Sequence, residues 1–89
     1  MKKIHTLEVI IKGFANERRI SVLLLLHRYP NSSIGEIADA LKIGYKSVSQ
    51  HVDKMYRAGL VSKEGDGYFV LHTLTIRGKQ ILYFLRKLC

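Results

Sequence analysis

The chain has 89 residues, enough for one domain with one core, and 47% of them are hydrophobic, which excludes the apolar-poor composition of a disordered chain. Fifteen Lys and Arg stand against seven Asp and Glu, a formal charge of +8 that suits a polyanionic partner, although some basic proteins bind nothing anionic. Its one cysteine, Cys89, cannot form an intrachain disulfide, and its longest apolar run, Val22 to Leu26, falls far short of the ~20 residues that cross a bilayer, so a disulfide scaffold and a membrane span are both excluded.

The start of the chain, Met1-Lys2-Lys3-Ile4-His5, is basic but lacks the apolar stretch and cleavage site of a secretion signal, so a cytoplasmic location is expected. Residues 4 to 14 place Ile4, Leu7, Ile10, Ile11 and Phe14 at helical spacing and predict a first helix ending near Gly13. Asn16 is a candidate N-cap for a second helix that opens with Glu17, Arg18 and Arg19. That helix carries Ile20, Leu23, Leu24 and His27, and Val22, Leu25 and Leu26 widen its apolar stripe almost to the full circumference, as expected of a central core helix. Tyr29-Pro30-Asn31 stops it, because the residue before a proline avoids the helical region.

Ser33 and Glu36 have the spacing of a capping box and predict a third helix with Ile34, Ile37, Ala38 and Leu41 on its apolar face. Lys42-Ile43-Gly44 reads as a tight turn in which Gly44 supplies the positive φ. A fourth helix runs from about Tyr45 to Ala58 with Val48, Val52 and Met55 inward, and Gly59 ends it. Leu60 to Lys63 reads as a strand, Glu64-Gly65-Asp66-Gly67 as a turn, and Tyr68 to Leu74 as the returning strand. Thr75 caps a last helix carrying Ile76, Ile81, Leu82, Leu85 and Leu88, with Arg86 and Lys87 in its final turn. The expected class is mainly α with a small β-hairpin, in the order α-α-α-turn-α-β-β-α, as one domain over residues 1–89.

Two short helices joined by a tight turn match a helix-turn-helix, in which Ile37, Leu41, Ile43, Val48 and Val52 pack the pair together. The other face of the second helix carries Tyr45, Lys46, Ser47, Ser49, Gln50 and Lys54. In this motif that helix enters the major groove of DNA. Gln50 offers an amide to adenine, Ser47 or Ser49 serves a base edge or a phosphate, and Lys46, Lys54 and Arg57 are candidate phosphate anchors.

The segment Val48-Ser49-Gln50-His51-Val52-Asp53-Lys54-Met55-Tyr56-Arg57-Ala58-Gly59-Leu60-Val61 resembles the recognition-helix segment of ArsR-type and MarR-type winged-helix regulators. Three further pieces are similar to those families in the right order: Phe14 to Ile20, Gly35 to Leu41, and Leu74 to Lys79. The resemblance covers roughly residues 7 to 88 and implies a winged helix-turn-helix transcriptional regulator that binds double-stranded DNA. It also implies a homodimer built from the first and last helices, over residues 4–14 and 75–88. The residues point the same way, because the stripe Leu7, Ile10, Ile11 and Phe14 and the stripe Ile81, Leu82, Phe84, Leu85 and Leu88 exceed what a small core needs. The alternative is that both stripes pack only on their own domain. A twofold would set two recognition helices about one DNA turn apart, ~34 Å.

The chain departs from the metal-sensing members of the ArsR type. Ser33 to Leu41 has no cysteine, and Ile76 to Cys89 has no Asp, Glu or His. The histidines His5, His27, His51 and His72 have no ligand spacing, so no metal and no cofactor are expected. His51 matches a family position near DNA and is read either as a phosphate contact or as a partly buried side chain. Cys89 is read as a bystander thiol, the alternatives being a crosslink between two subunits or a metal ligand. Glu64 and Asp66 give the wing an acidic tip, which weakens a wing contact with DNA and leaves Lys63 at its base as the candidate backbone contact. No nucleophile–base pair, paired carboxylates or phosphate loop points to an enzyme. The alternative to a DNA-binding regulator is a winged-helix protein-interaction module in a larger transcription or chromatin assembly, and the charge alone also permits non-specific nucleic-acid packaging.

Overall fold

A computed structural model describes residues 2–65 and 67–89. The elements are α1 (Lys2–Phe14), α2 (Glu17–Arg28), α3 (Ile34–Leu41), α4 (Tyr45–Arg57), β1 (Val61–Gly65), β2 (Val70–Leu74) and α5 (Ile76–Arg86). Their order is the one expected of a winged helix-turn-helix.

Local chemistry explains where the helices begin. The Asn16 side chain accepts from the amides of Arg18 and Arg19 at 2.9 and 3.4 Å. Ser33 Oγ accepts from the Glu36 amide at 3.1 Å while the Glu36 carboxylate accepts from the Ser33 amide at 2.9 Å, so the capping box forms in full. Thr75 Oγ1 accepts from the Gly78 amide at 3.0 Å and donates to the Gly59 carbonyl at 2.6 Å, tying the start of α5 to the end of α4.

The turn between α3 and α4 differs from expectation. The left-handed residue is Lys42, at φ 55°, which ends α3, whereas Gly44 sits at an ordinary φ of −59°. The α3 helix closes by placing its own C-cap in the left-handed region, so the bend is complete two residues before the glycine. At the end of α4 the glycine does what was expected. Gly59 adopts φ +76°, its amide donates to Tyr56 at 2.9 Å, and the Leu60 amide donates to Met55 at 2.9 Å. This closing turn uses Leu60, which is why β1 begins only at Val61.

The hairpin is also longer on its first strand than the turn residues suggest. Five residues pair with five, Val61 opposite Leu74 through Gly65 opposite Val70. Glu64 and Gly65, read as turn, are therefore in the ladder, and Tyr68 and Phe69, read as strand, lie in the connection at the wing tip. Asp66, the other acidic residue assigned to the tip, lies outside the described residues. Ser32 adds a single bridge on the outer edge of β2, exchanging backbone hydrogen bonds with His72 at 3.1 and 2.8 Å.

The core sits on α2, which packs against α1, α3, α4, α5 and β2. Val22, Leu23 and Leu26 of α2 meet Ile37 of α3, Val48, Val52 and Met55 of α4, and Leu82 of α5, all buried. Burial does not extend round the whole of α2, because the apolar Leu24 is exposed. Leu82, assigned from the sequence to a dimer stripe, belongs to this core at 3% exposure. The turn of α5 that carries Gly78 crosses directly over the backbone of Leu60, and a Cβ at Gly78 would overlap the Leu60 carbonyl oxygen.

Candidate nucleic-acid interface

The fold fixes α4 by burying Val48, Val52 and Met55, which turns its opposite side outward. Tyr45, Lys46, Ser49, Gln50, Lys54 and Arg57 are exposed on it, while Ser47 and His51 are half-buried along one flank. That flank faces the start of α2. Arg18 Nη1 donates to Ser47 Oγ at 3.2 Å, and Arg19 Nε donates to His51 Nδ1 at 3.1 Å. Arg19 also donates to the Lys12 carbonyl of α1. Two arginines thus bind three helices together at the edge of the outward face.

Arg18 and Arg19 stand in the first turn of α2, and their place in the sequence alone assigns them no role at the site. A signal was present. Cations at a helix N-terminus oppose the helix dipole, so two of them there serve something outside the helix. The partners, 29 and 32 residues away, could not be read from the chain.

These contacts settle the chemistry of His51. An arginine only donates, so Nδ1 must accept and Nε2 carries the proton. Partial burial, then Arg19, Arg18 and Lys54, hold its pKa below the usual histidine value. His51 is therefore a neutral side chain with one N–H donor left to offer. Arg19, Gln50, His51, Lys54 and Arg57 surround a shallow concavity of about 360 Å³, which also includes Asp53.

Arg57 and Lys63 are differently placed. Asp53 takes Arg57 at 2.9 Å through one carboxylate oxygen and Lys63 at 3.5 Å through the other. Lys63 Nζ also lies 4.5 Å from the centre of the Tyr56 ring. Both cations are tethered to α4, and Lys63 is held along the helix rather than displayed on the wing.

Between α4 and the hairpin is a cleft of about 620 Å³, lined by Tyr45, Ser49 and Gln50 on one side and Phe69, Val70 and Lys63 on the other. The wing tip above it is aromatic, with Tyr68 95% exposed. At the base of the hairpin His72 is buried, and its Nδ1–H donates to the Ser32 carbonyl at 2.9 Å. Burial lowers its pKa, with Lys63 adding to the effect and the hydrogen bond to Ser32 opposing it.

The residues assigned to a dimer surface fall into three groups. Leu7, Ile11, Phe84 and Leu88 are exposed. Ile10, Phe14, Ile81 and Leu85 are half-buried against the core, and Leu82 is inside it. The exposed members continue across Ile4 and Val9 on α1, so both terminal helices present apolar surface outward. Among the described residues, no three of His, Cys, Asp and Glu converge on a common point, and no helix is long and apolar enough to cross a membrane.

Comparison with known proteins bears on this arrangement. Residues 16–63 match the family described as bacterial regulatory protein, arsR family. The transcriptional activator HlyU of Vibrio cholerae is 35% identical over 68 residues, which are 75% of this chain and 61% of that protein. The HTH-type transcriptional regulator YgaV of Escherichia coli is 25% identical over 65 residues, 73% of this chain and 66% of that protein. The aligned part thus spans less than two thirds of either relative. The solved structure of Vibrio cholerae HlyU superposes with a TM-score of 0.83 at 31% identity, covering 98% of this chain and 95% of that one. A homodimeric winged helix-turn-helix DNA-binding domain from Mycobacterium bovis gives a TM-score of 0.85 at 21% identity, over 98% of this chain and 80% of that one, a likeness of fold alone.

Proposed function

We propose, for a chain that belongs to the arsR family of bacterial regulatory proteins, that it binds double-stranded DNA sequence-specifically as a homodimeric transcriptional regulator. The recognition helix α4 lies in the major groove of a twofold-symmetric operator. The observation that carries this reading is the outward face of α4. It combines hydrogen-bonding side chains at its centre with cations on both edges, and the core residues behind it hold it still.

The roles follow from position. Tyr45, Lys46, Ser49 and Gln50, near the start of α4, reach base edges, with the Gln50 amide suited to adenine. Lys54 and Arg57, further along, meet phosphates, as do Arg18 and Arg19 from α2. His51 donates its Nε2–H to a phosphate oxygen, and Ser47 orients Arg18. Lys63 contributes through its charge from behind Asp53 rather than from the wing. The exposed apolar surfaces of α1 and α5, with Leu7, Ile11, Phe84 and Leu88, meet their copies across the twofold.

Selection of the chain against a random duplex pool, followed by titration of the winner at several salt concentrations, tests the reading. The expected result is two inverted half-sites separated by about 10–10.5 base pairs, bound with a steep salt slope. A second reading rests on the aromatic wing tip: a protein-interaction module in a larger transcription or chromatin assembly. A pool without enrichment and a flat salt response would overturn the first reading in favour of the second. Sequence-blind binding would mean packaging instead.

A further inference from the structure

We propose that the chain carries a second binding site, remote from α4, for a small organic acid with an apolar body. The site is a cleft of about 400 Å³ where the end of α2, the strand β2 and α5 converge, a size within the range of small-molecule pockets. Its floor is apolar, built from Leu26, Leu74 and Leu82 and closed at one side by Pro30. Its rim carries the cations Lys79 and Arg86 on α5, with the imidazole of His27 across from them on α2.

The spacing explains how one helix supplies this rim. Lys79, Tyr83 and Arg86 recur at three- and four-residue intervals and form one stripe of α5. Lys87 Nζ lies 4.4 Å from the centre of the Tyr83 ring and brings a third cation to the stripe. No Asp or Glu occurs from Gly67 to Cys89. The ion pairs among the described residues all use Glu8 or Asp53, on α1 and α4, so none reaches Lys79 or Arg86. Cations gathered at the mouth of an apolar cleft repel one another and are relieved by a bound anion.

The two halves of the cleft together select the ligand class. A carboxylate at the mouth meets Lys79 and Arg86, and a guanidinium can grip both of its oxygens. An alkyl or aryl body then displaces water from Leu26, Leu74 and Leu82. Inorganic phosphate would use the rim and leave the floor wet. A neutral hydrocarbon would use the floor and leave the cations unpaired.

No residue of α3, α4 or the wing tip lines the cleft. Phe84 and Leu88 lie on the other flank of α5, so a dimer built through them leaves the cleft open. Thr73 and Leu74 do line it, and they pair with Ser62 and Val61 at the base of the hairpin. A ligand here touches the strand that carries the wing.

Titration of the full chain with sodium octanoate, followed through backbone amides by two-dimensional NMR, tests the proposal without reference to DNA. Saturable shifts are expected around Leu26 to Pro30, Thr73 and Leu74, and along Lys79 to Arg86. The exposed double variant K79Q/R86Q should keep its circular dichroism and bind octanoate about tenfold more weakly. 1-Octanol should bind more weakly than octanoate to the unaltered chain. Shifts that fail to saturate, or that spread instead over the apolar surface of α1, would overturn the site. So would an unchanged affinity in the double variant, or inorganic phosphate moving the same amides as strongly as octanoate does.

Discussion

The recognition helix and the wing border the same cleft, but they are held by opposite means. The α4 helix is anchored on three sides, by core residues beneath it, by Arg18 and Arg19 along one flank, and by the closing turn at Gly59. The hairpin is held through the buried Val61, His72 and Leu74 and through Lys63, which pairs with Asp53 of α4, while from Lys63 to Val70 its described residues are exposed. A surface that reads bases must hold its side chains in a fixed geometry, and α4 has the supports for it. The wing's buried residues join it to the domain, and its described residues further out face outward. An acidic Glu64 and an aromatic Tyr68 thus stand outside the core of a basic chain.

The largest effect is expected where the two regions meet. Gly78→Ala pushes a methyl group into the Leu60 carbonyl, at the joint between α4 and β1. Overpacking of this kind costs about 1–3 kcal/mol, and thermal unfolding should show the loss as a single lowered transition. If the hairpin melted separately while α4 kept its structure, the joint would not couple the two regions.

Next come the two substitutions that divide reading from anchoring on α4. Gln50→Ala should cost about 1–3 kcal/mol at one base pair of the selected site and relax the preference there. Lys54→Ala should weaken all duplexes alike and reduce the salt slope by about one. Both are measured by duplex titration at several salt concentrations. If the two variants changed affinity identically on cognate and scrambled duplexes, the division of roles along the helix would be wrong.

Much of this was legible in the chain, because caps and glycines are local signals. Asn16, the Ser33–Glu36 box, Thr75 and Gly59 each announced a boundary that the structure keeps. The outward residues of α4 followed from the spacing of Val48, Val52 and Met55. What could not be read was set by partners distant in sequence. Glu64 and Gly65 have turn chemistry, and only pairing with Leu71 and Val70 makes them strand. Leu82 sits in an apolar stripe of α5 like its neighbours, and only the position of α2 decides that it is core. Gly44 invited a left-handed turn that Lys42 had already made. Arg18 and Arg19 looked like exposed charge until α4 was placed beside them.

Acid should separate the regions in a smaller and graded way. His51 on the α4 flank and His72 in the wing base both have pKa values lowered by burial and nearby cations. The unfolded chain therefore binds protons first. Stability is fully present above pH ~6.5, falls as pH drops through that value, and levels off below the folded-state pKa values. His72 faces Lys63 from the paired strand and donates to Ser32, so its protonation adds a buried charge beside a cation. Unfolding temperatures between pH 8 and pH 5 should decline, and His51→Gln, which keeps an acceptor for Arg19, should remove only part of the slope. Amide protection factors, which correct for the intrinsic slowing of exchange in acid, should fall at Ser32 and His72 before they fall at Val48 and Val52. The reverse order would mean that the recognition helix, and not the wing, is the weaker of the two.

The smallest expected effect lies at the start of α4, where its many supports leave one gap. Gly44 is the N-cap, its extended conformation suits any residue, a Cβ there meets nothing within 4 Å, and no side chain caps the helix. An aspartate at this position would accept from first-turn amides and place a negative charge at the positive end of the helix dipole. Gly44→Asp should therefore stabilise the fold by about 0.5–1 kcal/mol in denaturant titration, the sum of a small capping gain and a dipole gain. The same carboxylate would repel phosphate and occupy donors that an uncapped terminus offers to the DNA backbone, so duplex affinity should fall as stability rises. Gly44→Ser, capped but uncharged, separates the two causes: it should gain a few tenths of a kcal/mol and lose less affinity than the aspartate. Equal stability in all three chains would show that the first turn is already satisfied. Higher stability with unchanged duplex affinity would show that the terminus of α4 points away from the DNA, and the orientation proposed for the helix in the groove would fall with it.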